Sequence, residues 1–236
     1  MLKKILSFCV LAGALTVASV AANAYSLQYT SSSYGLGVTS YYGVSGTVNG
    51  FTGASDYTFV GGAGTPPGIP TTFQGYCVQI ENYYVNPQDV LIKNANLLTR
   101  NGISPNSGEK ATWLFNKYKT TVDTNTEGAA LQVAIWEALY DTSYNLSSGY
   151  YRTDAGAATV IAQANIYLTD LAANFSSGTA GSATWFDAPD TTPGQFQDII
   201  GPGGPAVVPE PGTLSLLASG SLSAVYALRR RTRKRN

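Results

Sequence analysis

The chain has 236 residues, with fourteen Lys and Arg against fourteen Asp and Glu, sixteen Tyr and no histidine. The missing histidine excludes a Ser-His-Asp triad, a Cys-His nucleophile pair and a His-ligated zinc site. The zero net charge hides an asymmetry. Eight of the cations sit at the two ends, so residues from about 25 to 208 keep six basic and thirteen acidic side chains, near −7. Such an acidic body argues against nucleic-acid binding.

Residues 1–24 read as a signal peptide. Lys3 and Lys4 precede an apolar run from Ile5 to Val20, and Ala22-Asn23-Ala24 gives a small-x-small cleavage site. Cys9 leaves with this segment, so Cys77 is the single cysteine of the exported body. A lone cysteine cannot form an internal disulfide or a Cys-rich metal site.

From Tyr25 to Val85 the chain reads as β-strands, in short Tyr-, Val- and Thr-rich runs broken by Gly and Ser. The run Gly75-Tyr76-Cys77-Val78-Gln79-Ile80 lies in one of them. Residues 88–175 read as a helical part. A short helix is expected in 86–102, and a second is opened by an Asn106–Glu109 capping box. A third covers Thr126 to Asp141, capped at Asn125 or Thr126, and a fourth is capped at Asp154. In the last of these, Ile161, Ala164, Leu168, Leu171 and Phe175 follow helical spacing. A final strand is expected at 183–187, and 188–207 is a Pro- and Gly-rich linker. The fold class is α+β: a β-rich sandwich or barrel part with a helical subdomain.

Residues 208–236 form a distinct tail. Val208-Pro209-Glu210-Pro211 is followed by an uncharged run, 212–228, and then by a cluster of Arg and Lys. The run suffices to cross a bilayer as a transmembrane helix, with the basic end in the cytoplasm. The three parts in this order resemble the PEP-CTERM sorting signal of Gram-negative bacteria. The resemblance implies recognition of Val208, Pro209, Glu210 and Pro211 by exosortase, transient anchoring in the inner membrane, and export to the cell surface or extracellular matrix.

Three candidate chemistries follow from the body. Glu137 and Asp141 lie one turn apart and form either a carboxylate pair or, more simply, a solvated helix face. The abundant aromatic residues are compatible with stacking on carbohydrate, although no regular platform is visible. Gln132 lies beside the apolar stripe Leu131, Ile135 and Leu139, and shares a face with Trp136. Helical geometry alone leaves two readings for it, an edge position in water or a buried amide that needs partners.

Tyr76-Cys77-Val78, followed 55 residues later by Gln132-Val133-Ala134-Ile135-Trp136, resembles the thioester domains of bacterial surface adhesins, with Leu131 where those domains have Thr. The resemblance implies a crosslink between Cys77 and Gln132, shielded by Tyr76 and Trp136, within a thioester-like domain of residues 25–187. It implies covalent attachment to an amine-bearing surface or matrix ligand, and a single-use capture device rather than an enzyme, with no cofactor. The alternative is a non-reactive structural or carbohydrate-binding matrix protein associated with exopolysaccharide.

Overall fold

The computed structural model describes residues 25–43, 47–62, 68–100, 104–153, 158–189 and 197–203. The signal peptide, the proposed Asp154 cap and the segment 212–228 lie outside the described residues.

The described residues form seven antiparallel strands: β1 (Tyr25–Tyr42), β2 (Thr47–Gly61), β3 (Thr72–Cys77), β4 (Gln88–Asn94), β5 (Tyr151–Thr153), β6 (Thr184–Asp187) and β7 (Ile199–Gly201). The strand order is β2-β3-β7-β6-β4-β1-β5, with β2 also paired to β1. That last pairing closes six strands into a ring, so of the two expected β architectures the hydrogen bonding forms a barrel. The closing strand serves two neighbours at once, because Leu27 of β1 faces both Gly61 of β2 and Gln88 of β4. Beyond the ring, the far end of β1 carries β5, with Tyr41 opposite Arg152.

The barrel interior is aromatic. Phe73 stacks on Phe186 with ring centroids 4.8 Å apart, and Phe59 and Tyr25 close on this pair at 5.8 and 6.2 Å. Such rings bring a large apolar area per residue, which suits a small barrel.

Three helices cover one side: α1 (Ser107–Tyr118), α2 (Asn125–Tyr140) and α3 (Ala158–Asn174). In α2 every residue from Gly128 to Tyr140 is buried. A helix that is apolar around its whole circumference belongs inside a structure, and α2 packs against α1, α3, β1 and β2. Gly128 permits the closest of these approaches, since a Cβ there would lie 2.4 Å from the Tyr34 carbonyl oxygen of β1.

Several sequence expectations are corrected. Gln88–Asn94, assigned to the helical part, is strand β4, and only Ala95–Leu97 is helical, as a 3-10 turn. Its burial alternates, Gln88 and Val90 in, Asp89 and Leu91 out, which is the period of a strand. Ile199–Gly201 lies in the expected linker yet pairs with both β3 and β6. Asn106 does begin α1, but in a left-handed conformation with no side-chain cap. Glu109 instead accepts hydrogen bonds from the Ser177 hydroxyl and the Gly178 N–H, both at 2.9 Å. The α2 cap is Thr124, in a reciprocal box with Glu127.

Candidate functional site

Cys77 ends β3, and the reason is visible in the register. β2 and β3 pair from Val60 opposite Thr72 to Tyr57 opposite Gly75. Continued by one step of two, the ladder would set Ser55 opposite Cys77. Here β2 turns away with β1, pairing Ser55 to Gly35. The vacated position is taken by a side chain. The Cys77 N–H donates to Oε1 of Gln132 at 2.8 Å, and Nε2 of Gln132 donates to the Cys77 carbonyl at 2.7 Å. The carboxamide thus stands in for a strand residue. Both residues are buried, Cys77 at 3% exposure and Gln132 at 0%. Of the two readings of Gln132, the buried amide is the observed one.

Helix and strand each contribute to this pairing. Gln132 occupies the second turn of α2, beyond Gly128 where the helix touches β1. Cys77 is held from its other side. Val78 N–H donates to the Asp198 carbonyl at 2.9 Å, and Arg100 Nε donates to the Val78 carbonyl at 3.1 Å. Arg100 also forms an ion pair with the buried Asp198 carboxylate, which accepts from Trp185 Nε1 and the Ala188 N–H, both at 2.8 Å. Gln197 Nε2 donates to the Gln79 carbonyl at 2.7 Å. A partnered buried network of this kind fixes the backbone around it. Sequence reasoning missed Arg100, Asp198 and Gln79. Asp198 lay in a Pro/Gly-rich stretch without periodicity, so no local signal marked it.

Strand alternation puts Phe73, Gly75 and Cys77 on the face that looks into the barrel, and Tyr76 on the opposite face. The Tyr76 ring meets Phe115 of α1 edge-on, with centroids 6.2 Å apart. Trp136 is fully buried one turn beyond Gln132, against Tyr151. Tyr76 thus faces α1, and Trp136 faces β5. On the barrel side the thiol meets Tyr57, a residue the sequence did not single out. Tyr57 faces Gly75 diagonally to Cys77, and its hydroxyl hydrogen-bonds the thiol.

Burial pushes the Cys77 thiol well above its ordinary range, and the Tyr57 hydrogen bond opposes this. Tyr57 is raised too, first by burial and then by its proximity to Cys77. At neutral pH the ground state is a neutral thiol beside a neutral phenol. The Cys77 N–H aimed at Oε1 polarises the carboxamide carbonyl in the manner of an oxyanion-hole donor.

Glu137 and Asp141 do not form a solvated face; both are buried. Asp141 accepts the N–H groups of Tyr150 and Tyr151 at 3.0 and 2.6 Å, which fastens the start of β5. Burial, with the neighbouring Asp141 charge, raises Glu137 to about 8. Among the described residues no cluster of three or more His, Cys, Asp or Glu could hold a metal ion, and no helix is long and apolar enough to cross a membrane.

Residues 207–231 match the PEP-CTERM protein-sorting motif, in agreement with the sorting signal expected at 208–236. No curated protein and no solved structure matches the chain, so the likeness to thioester domains has no counterpart among these comparisons. The matched segment is the C-terminal tail, and it marks an exported protein that is anchored at the membrane before exosortase processes it.

Proposed function

We propose that Cys77 and Gln132 condense to an internal thioester, and that the exported protein uses it once, at the cell surface or in the matrix, to attach covalently to an amine on its partner. The observation that carries this reading is the two-point hydrogen bonding of the Gln132 carboxamide to the Cys77 backbone. It holds a poor electrophile against the residue that bears the nucleophile, and enforced proximity of this kind can contribute about 7–11 kcal/mol.

The chemistry balances without a co-reactant. Sγ of Cys77 bonds to the carboxamide carbon of Gln132, the carbon–nitrogen bond breaks, and the thiol proton leaves with the nitrogen as ammonia. The Cys77 N–H supports the oxyanion on Oε1, and the Tyr57 hydroxyl supports the developing thiolate. In the capture step an incoming amine bonds to the acyl carbon, the carbon–sulfur bond breaks, and the proton lost by the amine returns to sulfur. The buried setting protects the acyl group from water meanwhile.

A second reading is favoured by the same hydrogen bonds. Both polar ends of the carboxamide have partners, so Gln132 also serves as a structural plug for an unfinished ladder, with Cys77 as a small apolar residue. Peptide mapping of the exported protein separates the two. Trypsin should release residues up to Lys93 joined to residues 120–152, lighter than the two peptides by one ammonia. Methylamine should part them, adding one amine at Gln132 and exposing one thiol. Unjoined peptides of full mass, with a thiol present from the start, would sink the thioester and leave the plug.

A further inference from the structure

A second site lies away from Cys77, on the outer face of β5. The β1–β5 ladder sets Tyr41 directly opposite Arg152. Tyr151, between them in the alternation, turns inward, packs on Trp136 and shares a hydrogen bond with Ser40. Arg152 and Tyr41 are thereby directed outward, with the guanidinium 6.0 Å from the ring centroid. They form one wall of a cavity of about 670 Å³. Ile161 and Asn165, one turn apart on α3, form a second wall, and the 144–147 loop forms the third. The volume falls within the roughly 300–1,000 Å³ of small-molecule sites.

The lining has a definite chemistry. Among the described residues it includes no carboxylate, in a body with about twice as many acids as bases. Among the described residues, Lys93, Arg100 and Lys117 are each engaged by an aspartate, whereas Arg152 has no ion-pair partner. The Asn145 side-chain oxygen accepts the Ser147 N–H and hydroxyl at 3.2 and 2.7 Å, so its amide nitrogen remains to donate. Tyr144 has φ of 51°, a left-handed conformation unusual for a bulky residue. Backbone strain of this type gathers at ligand clamps. A cation, amide donors and two phenol rings, with no acid among the described lining residues, are complementary to a molecule that is anionic, rich in hydroxyls and able to lay an apolar ring face on an aromatic.

We propose that this cavity binds uronic-acid units of an acidic polysaccharide, with the sugar carboxylate on Arg152, a ring face on Tyr41 or Tyr144, and hydroxyls on Asn145 and Asn165. The proposal does not rest on the thioester. Calorimetric titration of the exported protein with oligogalacturonate, oligoguluronate and hyaluronan fragments tests it. At least one should bind at millimolar concentration, while acetate and the methyl-esterified oligogalacturonate should not. Arg152→Gln should weaken binding by at least about tenfold, as expected for loss of a charge-assisted bond. Ile161→Trp, which fills the cavity and keeps the arginine, should abolish it, and Cys77→Ala should leave it unchanged. Three outcomes would overturn the assignment: no binding of any acidic fragment, equal binding of ester or acetate, or wild-type binding by folded Arg152→Gln and Ile161→Trp.

Discussion

Glu137 follows Gln132 by five residues on α2, and no donor among the described residues makes a well-formed hydrogen bond to its carboxyl oxygens. In the unfolded chain this carboxyl ionises near 4.5; in the fold it does so at about 8. The unfolded chain therefore sheds the proton first, and stability falls as pH rises from 4.5 to 8, then levels. Glu137→Gln should raise the melting temperature at pH 8, by the equivalent of a few kcal/mol at roughly 1.4 kcal/mol per pH unit, and leave it unchanged at pH 4. Parallel melting curves for variant and wild type across that range would refute this. Tyr57 offers a kinetic test. Tyr57→Phe keeps the ring among Tyr29 and Phe59 but removes the hydroxyl from the thiol. Newly made protein should join its Cys77 and Gln132 peptides about ten- to a hundredfold more slowly, in line with loss of one hydrogen bond to the developing thiolate. An unchanged rate would remove Tyr57 from the chemistry. Cys77 stood out as the sole cysteine of the body, whereas Gln132 was marked only by the resemblance to thioester domains, since helical geometry left it two readings. Tyr57, Arg100 and Asp198 were not legible, since each acquires its role only through register or a contact many residues away.

Among the elements, α2 was the most readable, because sixteen residues of helix-forming sequence leave few alternatives. Its cap was misplaced by one or two residues, the ordinary uncertainty of a helix end. Strands β4 and β7 were missed for different reasons. β4 is seven residues with only two or three inward positions, too few for period two to outweigh a helical guess. β7 is three residues whose identity as a strand comes entirely from β3 and β6 on either side. Two substitutions in α2 distinguish local from tertiary support. Thr124→Ala removes a side-chain cap and should cost about 1 kcal/mol by chemical denaturation. Gly128→Ala should cost more, although alanine favours helix, because its Cβ collides with a β1 carbonyl that cannot swing aside. If Gly128→Ala proves stabilising, the tight contact between α2 and β1 is not what sets the helix position.

At the scale of the molecule, processing and folding are separable. The matched motif, 207–231, follows the last described strand residue, Gly201, so its loss removes none of the described strands. Deleting 207–231 should abolish processing by exosortase while the exported body keeps its melting temperature. A body that fails to fold without the tail would contradict that separation. The broad class, strands with a helical part, was legible from composition and spacing. Closure was not. It depends on β2 returning to β1 while β1 also holds β4, and such long-range pairings leave no trace in any one segment.

The side chain that completes the β3 ladder also bears on what capture of an amine would leave behind. While Gln132 is an amide, its nitrogen satisfies the Cys77 carbonyl. Thioester formation expels that nitrogen and strands a buried acceptor, an omission worth about 1–3 kcal/mol. A primary amine that opens the thioester becomes a secondary amide, whose one N–H, in the ordinary trans form, points away from the side that carries Oε1 and so does not reach that carbonyl. A secondary amine becomes a tertiary amide with none. Only ammonia, which regenerates the Gln132 carboxamide itself, would return both contacts to the strand, so capture of any larger amine would leave the Cys77 carbonyl without this donor.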